Sequence, residues 1–330
     1  MNLPELSVDY GLFGRRVLRR GRSSGMRLAM LLSIGAVGPA ASAQLVIAGW
    51  DANRGGLSSL PDSAAYSSTR AAIAASFPGT TIRGVSSLTA ASLDGAHVVW
   101  IGSGAANTVA TTPLSAGEQS ALLDFVSQGG VALIFGENST FAPNAVAVNT
   151  SYFAPFEVPI TGTLSGNQSY TLAAPQAFPM AGPWGQVASL SSGYPGWFPS
   201  LPSQGMVLAR LVANSQIVVA TLPAGALGPS SGAVWLFADT GAQSAGGTQG
   251  GNWNTLYLNI LDAAVHPAPC YVNCDGSTTS PILNVNDFTC FLNKYAAGDS
   301  YANCDASTLA PVLNVNDFTC FLNRYAVGCP

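Results

Sequence analysis

The chain has 330 residues, and its composition is poor in charge (8%) and rich in glycine (36) and proline (21). Soluble globular domains usually carry about 25% charged residues. The surface is therefore expected to consist largely of Ser, Thr, Asn and Gln, which suits an extracellular protein. Residues 44–330 contain six basic and fourteen acidic residues. With so few basic side chains, this part of the chain cannot neutralise a phosphate backbone, which argues against nucleic acid as a partner.

Residues 1–43 have the pattern of a bacterial signal peptide. Six arginines between Arg15 and Arg27 precede an apolar stretch at 28–37, and Ala41-Ser42-Ala43 forms a small-x-small cleavage site. The apolar stretch is too short to serve as a permanent membrane span. We therefore expect an exported protein that begins at Gln44 and resides outside the cell or on its surface, with the periplasm as the other compartment to consider.

Residues 44–265 alternate between apolar strand patterns and helical patterns. Predicted strands lie at 45–49, 81–85, 97–102, 131–135 and 232–237. Predicted helices lie at 63–77 and at 255–265. A third begins at the capping box of Ser115 and Glu118 and ends at Gly129. Continuous apolar strands joined by helices predict a parallel sheet with helices on both faces.

The middle of this region, residues 150–230, loses the alternation. Proline, glycine and tryptophan recur there between short apolar stretches at 206–212 and 216–222. This pattern predicts a β-rich extension with long loops. The sequence His-Pro-Ala-Pro at 266–269 predicts a short, stiff linker to a separate segment at 270–330.

Several features of residues 44–265 resemble the class I glutamine-amidotransferase-like domains. They are the strand HVVWIG, the Ser-x-x-Glu helix ending in Gly-Gly, the strand VALIFGEN and the late strand–loop–helix closure. The resemblance implies a flavodoxin-like α/β fold. Catalytic members pair a Cys on a strand-to-helix elbow with a His, but this domain has no Cys and no Gly-x-Ser-x-Gly elbow. We therefore expect a non-catalytic domain that binds a ligand or partner.

Ligands of open α/β sheets bind at the carboxyl ends of the strands. The residues predicted there are Asp51, Asn53, Ser103, Glu137, Asn138 and Asp239. The two carboxylates at 137 and 239 can form a pair for acid–base or glycosidic chemistry, or they can simply cap loops and helix starts. The tryptophans likewise either stack on a sugar or anchor the core and loops: Trp50, Trp184, Trp197 and Trp253.

The segment 270–330 holds all six cysteines: Cys270, Cys274, Cys290, Cys304, Cys320 and Cys329. An even number of cysteines in a short segment of an exported protein predicts a disulfide framework. Fifteen pairings are open at this point. A metal cluster fits less well, because the segment has no Cys-x-x-Cys pair and no His.

The same segment is a tandem repeat. LNVNDFTCFLN at 283–293 recurs unchanged at 313–323. Oxygen-bearing residues precede each apolar helix with the alternation of EF-hand-like calcium loops. The candidate ligands are Asn273, Asp275, Ser277, Asn284 and Asp287 in the first unit, and Asn303, Asp305, Ser307, Asn314 and Asp317 in the second. The prediction is two calcium sites; the alternative is that these side chains form Asx turns and helix caps.

These units resemble a dockerin of the bacterial type that ends in Gly-Cys. Besides the paired loop–helix units, Ala297-Gly298-Asp299 joins the two copies and Gly328-Cys329 stands near the end. The resemblance implies a small helical domain, two calcium ions and attachment to a protein receptor, either a cohesin or another surface component.

The segment departs from the dockerin pattern in its loops. Tyr271 and Tyr301 stand where the family has its first Asp ligand, and each loop is about five residues longer, with Pro281 and Pro311 inside. Fewer charged ligands predict weaker calcium binding. Disulfides are expected to compensate, at about 2–4 kcal/mol each, by tying loop to helix in each unit and joining the ends. The predicted pairs are Cys274–Cys290, Cys304–Cys320 and Cys270–Cys329.

Three functions follow from these patterns. The leading hypothesis is a non-catalytic exported protein whose tail attaches it to a receptor while its α/β domain binds a ligand or partner. The second is a secreted hydrolase of polysaccharide tethered by the same tail. The third is that the tail is a sorting signal, processed after export.

Overall fold

The computed structural model describes residues 44–103, 112–243, 251–266, 271–277, 283–305, 307–308 and 310–327. The predicted signal peptide, the linker prolines, Pro281 and the predicted Cys270–Cys329 pair lie outside these ranges. The strands are β1 Val46–Trp50, β2 Thr81–Val85, β3 Val98–Gly102, β4 Val131–Phe135, β5 Asn167–Leu172, β6 Ala181–Gly182, β7 Gly185–Gln186, β8 Ser191–Gly193, β9 Met206–Leu211, β10 Ile217–Leu222 and β11 Val234–Phe237.

The helices fall into short connecting turns and longer packing elements. The α-helices are α1 Ala52–Gly55, α2 Ser67–Ser76, α3 Ala90–Leu93, α4 Ala116–Ser127, α5 Ala145–Phe153, α6 Trp253–Val265, α7 Val285–Ala296 and α8 Val315–Val327. Turns of 3-10 helix lie at Gly56–Ser58, Ala64–Tyr66, Ala154–Phe156, Thr240–Gln243 and Ser300–Ala302. None of the helices in the described ranges combines the length and the apolar character needed to cross a bilayer.

Nine strands form one sheet in the order β2-β1-β3-β4-β11-β10-β9-β5-β8. The first five strands are mutually parallel, and their order is that of flavodoxin-like folds. The remaining four continue the sheet with antiparallel pairs. The predicted α/β class is therefore confirmed, and most of the predicted β-rich extension continues this sheet, while β6 and β7 pair in a separate two-stranded sheet.

The inner parallel strands β1, β3, β4 and β11 are apolar throughout because both of their faces are covered. Every residue of β3 and of β11 is buried. Aromatic rings continue across the middle of the sheet onto α6: Phe135 stacks on Phe237 with ring centroids 4.4 Å apart, and Tyr257 packs edge-on against Trp100 at 4.8 Å. This core supports the carboxyl ends of β4 and β11, where the candidate site begins.

Besides the one-turn helices α1 and α3, the longer helix α5 was not anticipated from the sequence. α5 occupies a region in which residues from 150 onward were expected to be β-rich. Its sequence, AVAVNTSYF, is rich in β-branched and aromatic residues, which have lower intrinsic helix propensity than Ala or Leu. Burial of Val148, Tyr152 and Phe153 against the core overrides that weak preference.

The segment 271–327 forms a second, small hydrophobic cluster around α7 and α8. Phe291 of α7 stacks on Phe321 of α8 with centroids 4.1 Å apart, so the repeat pairs its two helices through equivalent residues. Phe288, Phe291 and Tyr295 of α7 lie at helical spacing and pack into this cluster. Leu292 has the spacing of the same apolar face, but it is 39% exposed, so α7 buries only a narrow face.

Candidate functional site

The carboxyl end of β4 holds Glu137 in a network of hydrogen bonds. Its backbone N–H donates to Asn149 Oδ1 at 3.0 Å, and Asn149 Nδ2 donates to the Glu137 carbonyl at 2.6 Å. Oε1 of the carboxyl accepts from the backbone N–H and the side-chain amide of Asn138 at 2.8 and 2.9 Å. Oε2 accepts from the hydroxyl of Thr240. Helix α5 thus fixes the backbone of Glu137, while Asn138 and the turn that follows β11 fix its carboxyl.

Asp239 lies at the carboxyl end of the neighbouring strand. Phe135 pairs in register with Phe237, so the chain segments that follow β4 and β11 run side by side and bring Glu137 close to Asp239. Asp239 Oδ1 accepts from Gly241 N–H at 2.6 Å. Oδ2 is buried, and the side chain of Ser192 acts on the carboxyl as a hydrogen-bond donor that lowers its pKa.

The electrostatics of this pair follow from burial. Glu137 is 4% exposed and Asp239 is 2% exposed. Burial raises the pKa of Glu137, with the bonds from Thr240 and Asn138 opposing it. Burial and the adjacent Glu137 together raise the pKa of Asp239 to about 8. A proton is therefore held at this pair at neutral pH, since two adjacent buried carboxylates cannot both ionise cheaply.

Apart from Asn138, the other residues predicted for the crevice make no described contact with this pair. Asp51 caps α1 by accepting from Arg54 N–H at 2.9 Å. Asn53 lies exposed on α1. Ser103 is fully buried after β3, with its backbone N–H bonded to Phe135 O at 2.7 Å. The structure brings together Glu137, Asn138 and Asp239, and leaves Asp51 and Asn53 in structural or surface roles.

Two of the four tryptophans considered for sugar stacking belong to the core. Trp50 and Trp253 are buried, and their indole N–H groups donate to Tyr152 Oη at 2.8 Å and to Ser191 O at 3.0 Å. Trp184 is 37% exposed and donates to Asp262 of α6. For these residues the core-and-loop interpretation is the better one.

Sequence reasoning missed Thr240, Asn149 and Tyr66. Thr240 adjoins Asp239 in the chain and was open to inference as its polar neighbour. Asn149 is a polar residue inside an apolar stretch, a pattern that often marks a buried hydrogen-bonding role. Tyr66 comes from the α2 region, and its pKa is raised mainly by burial and further by Asp239 and Glu137; no sequence signal places it there.

A groove of about 920 Å³ lies elsewhere, between α3 and α4. Its lining includes the ion pair of Arg54 with Glu118, whose Nη1 and Oε1 atoms are 3.2 Å apart. None of the predicted crevice residues lines it. The volume of this groove does not by itself indicate a functional site, because its charged side chains are either paired with each other or far apart.

The first loop of the tail closes on the start of α7. The buried carboxyl of Asp287 accepts from Asp275 N–H at 3.2 Å through Oδ1 and from Asn284 N–H at 2.8 Å through Oδ2. Asp275 accepts from Ser277 N–H at 2.9 Å, a bond that lowers its pKa. Asn273 Nδ2 donates to Ser277 O at 2.8 Å. All five predicted ligands of this unit therefore belong to one connected loop.

The second loop repeats this arrangement nearly atom for atom. Asp317 accepts from Asp305 N–H at 3.2 Å and from Asn314 N–H at 2.8 Å. Burial alone would raise the pKa of Asp317, but these amides lower it overall. One difference stands out: Asn303 Oδ1 accepts from Ser307 N–H at 3.0 Å, whereas the equivalent Asn273 Oδ1 is buried and makes no hydrogen bond to described residues.

The tyrosines at the first ligand position pack against each other. The rings of Tyr271 and Tyr301 stack with centroids 4.8 Å apart, and each hydroxyl donates to the backbone carbonyl of the other. The cations of Lys294 and Arg324 lie 4.7 and 5.2 Å from the Tyr301 and Tyr271 ring centroids. These residues join the two repeats and do not serve as loop ligands.

Disulfides join Cys274 to Cys290 and Cys304 to Cys320, the two pairs expected within the units. Each ties its loop to the helix that follows, with Cα atoms 5.7 and 5.8 Å apart. The donors of the loops are carboxylate and amide oxygens, which suit Ca²⁺. Asn273 Oδ1 is buried and has no partner among the described residues, and each Asp287 oxygen accepts one described amide, so both leave lone pairs for a cation and the donors of the first loop fit calcium.

Compared with protein-family models and with curated proteins, the sequence matches none of them. Among solved structures it is similar to the N-terminal domain of IFT52 (10% identity over 68% of this chain and 98% of that one, TM-score 0.48). It is also similar to a β-galactosidase from Rahnella sp. R3 (10%, 68% and 31%, 0.45) and to a glutamine amidotransferase (10%, 67% and 98%, 0.37). At these identities and TM-scores no activity is inferred from the likenesses.

Proposed function

We propose that this chain is an exported attachment protein whose tail, residues 270–330, binds calcium and a protein receptor, cohesin-like or another surface component. The α/β domain presents a ligand- or partner-binding surface. The observation that supports this most is the duplication of one loop–helix unit in which, in both copies, the carboxyl in the first turn of the helix accepts backbone N–H groups of the polar loop. A repeat that only filled space would not need the same polar loop twice.

Calcium adds something specific to such loops. Each has few apolar residues, and among the described residues of the tail the core has five buried members: Val272, Phe291, Ala302, Cys304 and Phe321. A bound cation would draw the carboxylates and amide oxygens into one cluster and order the loop surface. Binding to the folded form alone stabilises it by about 2.7 kcal/mol at a concentration 100-fold above Kd.

The proposal is tested by thermal melting of the full chain in chelator and in millimolar calcium. We expect calcium to raise the melting temperature of the wild type and to raise it less in a variant carrying Asp287→Asn and Asp317→Asn. Asparagine keeps an acceptor for the loop amides, so each variant is compared with itself with and without calcium. An unchanged wild-type melting temperature would refute calcium binding.

The second candidate, a tethered hydrolase of polysaccharide, is favoured by one observation: Glu137 and Asp239 lie side by side in a buried setting that raises the pKa of both, as the general acid of such an enzyme requires. Their burial opposes it, since a substrate must reach them. Release of reducing ends from polysaccharides by the wild type, lost in Glu137→Gln, would support this candidate. No release from any polysaccharide tested would leave the attachment function alone.

A further inference from the structure

Each disulfide of the tail crosses a calcium loop at its ligand residues. Cys274 stands between Asn273 and Asp275, and its partner Cys290 lies on α7, three residues after Asp287. The second unit places Cys304 and Cys320 in the same way. The bond therefore joins the donors of the loop directly to the helix that carries the closing carboxylate.

Few hydrogen bonds among the described residues hold the loop to that helix. Between residues 273–277 and α7, Asp275 N–H donates to Asp287 Oδ1 at 3.2 Å, and the Cys290 sulfur lies 3.0 Å from the Cys274 carbonyl oxygen. The amide contact in the second unit is also 3.2 Å, and Arg324 Nη2 of α8 donates to the Cys304 carbonyl at 3.5 Å. Long hydrogen bonds at partly exposed positions constrain a loop weakly, whereas the covalent bridge fixes two Cα atoms 5.7 Å apart.

Preorganisation of the loop then links disulfide formation to calcium binding. A cation that binds Asn273, Asp275 and Asp287 together loses binding free energy to the ordering of the loop, unless the loop is already held in place. With the disulfide formed, that ordering is complete before calcium arrives. With it reduced, calcium must order the loop itself, and its affinity falls.

We propose that the loop–helix disulfides set the calcium affinity of the loops they cross, so that calcium binding and disulfide reduction are thermodynamically coupled. This inference rests on the proposed calcium function and names its redox control. The reduction is a two-electron exchange: a dithiol attacks one sulfur, the S–S bond breaks, and the second thiol of the reductant resolves the mixed disulfide. Two cysteine thiols and one oxidised, cyclic reductant are the products.

Coupling is reciprocal, so it can be measured from either side. The first measurement is calorimetric titration of calcium into the oxidised full chain and into the variants C274S/C290S and C304S/C320S. We expect each variant to lose affinity about 5- to 150-fold, the usual span of coupled binding, at the site in its own unit. The intact unit of each variant is the matched control within the same molecule.

The second measurement uses the wild type, so that it does not depend on the folding of a variant. The chain is treated with dithiothreitol in calcium or in chelator, alkylated, and analysed by mass spectrometry for Cys290 and Cys320. We expect calcium to slow or prevent reduction of both, with magnesium as the control cation. Calcium binding by the oxidised chain with no change in the variants and no protection from reduction would overturn the coupling alone. An oxidised chain that binds no calcium would overturn both this inference and the proposed function.

Discussion

Asn273 and Asn303 occupy equivalent positions in the two repeats, but their side-chain oxygens differ in what they contact. Both amides donate from Nδ2 to a loop carbonyl. Asn303 Oδ1 also accepts from Ser307 N–H, whereas Asn273 Oδ1 is buried and makes no bond to the residues described. An unsatisfied buried acceptor is costly, and a cation in the first loop would remove that cost.

This difference predicts unequal effects for Asn273→Ala and Asn303→Ala. In chelator, Asn303→Ala should lower the free energy of unfolding by about 1 kcal/mol more, because it removes one further hydrogen bond. In calcium, Asn273→Ala should cause the larger loss of affinity. Urea unfolding and calcium titration of both variants measure the two effects. Equal losses under both conditions would contradict the assignment.

Asp239 predicts a pH dependence of stability. Its pKa in the folded chain, about 8, lies above the value near 4 of an unfolded Asp. The folded state therefore binds the proton more tightly, and this contribution to stability is complete below pH 4 and is lost as the pH rises toward 8. Asp239→Asn cannot ionise and keeps an acceptor for Gly241 N–H, so its stability relative to the wild type should increase between pH 5 and pH 8.

The measurement for Asp239 is urea unfolding of wild type and Asp239→Asn at several pH values in that interval. Glu137→Gln serves as a companion, since removing its charge should also lower the pKa of Asp239. Parallel pH profiles for wild type and Asp239→Asn would show that the carboxyl does not hold a proton in the folded chain.

Helix α4 shows at the scale of the element how a local sequence signal gains a tertiary role. Ser115 Oγ accepts from Glu118 N–H at 3.3 Å, and Glu118 Oε2 accepts from Ser115 N–H at 2.9 Å, which is the capping box read from the sequence. Glu118 also pairs with Arg54 of α1, whose guanidinium carbon lies 4.6 Å from the ring centroid of Trp50. The same carboxylate thus caps one helix and anchors another.

Two substitutions separate these roles. Ser115→Ala should lower the free energy of unfolding by about 1 kcal/mol through the lost cap. Glu118→Gln keeps an acceptor for the Ser115 amide, yet should cost about 2 kcal/mol because Arg54 loses its buried, charged partner. Guanidinium unfolding at neutral pH measures both. A Glu118→Gln variant as stable as the wild type would show that the ion pair contributes nothing.

At the scale of the whole molecule, the described residues form two hydrophobic clusters with no member in common. The larger comprises the sheet and the helices up to α6, and the smaller comprises α7, α8 and the loops before them. The larger cluster could be predicted from the continuous apolar strands and from the Gly-Gly pair that ends α4, because strand pattern and helix ends are local properties of the sequence. The smaller was evident because its two copies are nearly identical.

Local sequence therefore determined much of this protein: the strands β2 and β4 at their observed bounds, the cap of α4, the α/β class, and the loop–helix repeat with its two internal disulfides. It could not determine which polar residues meet. Asp51 and Glu137 both follow apolar strands, yet Asp51 caps a helix while Glu137 contacts Asn149 and Thr240, residues 12 and 103 positions away. Strand order and register arise only when distant segments pair, and they placed the buried carboxyls of Glu137 and Asp239 side by side after β4 and β11. The packing of the two repeats, likewise a tertiary property, stacked Tyr271 on Tyr301.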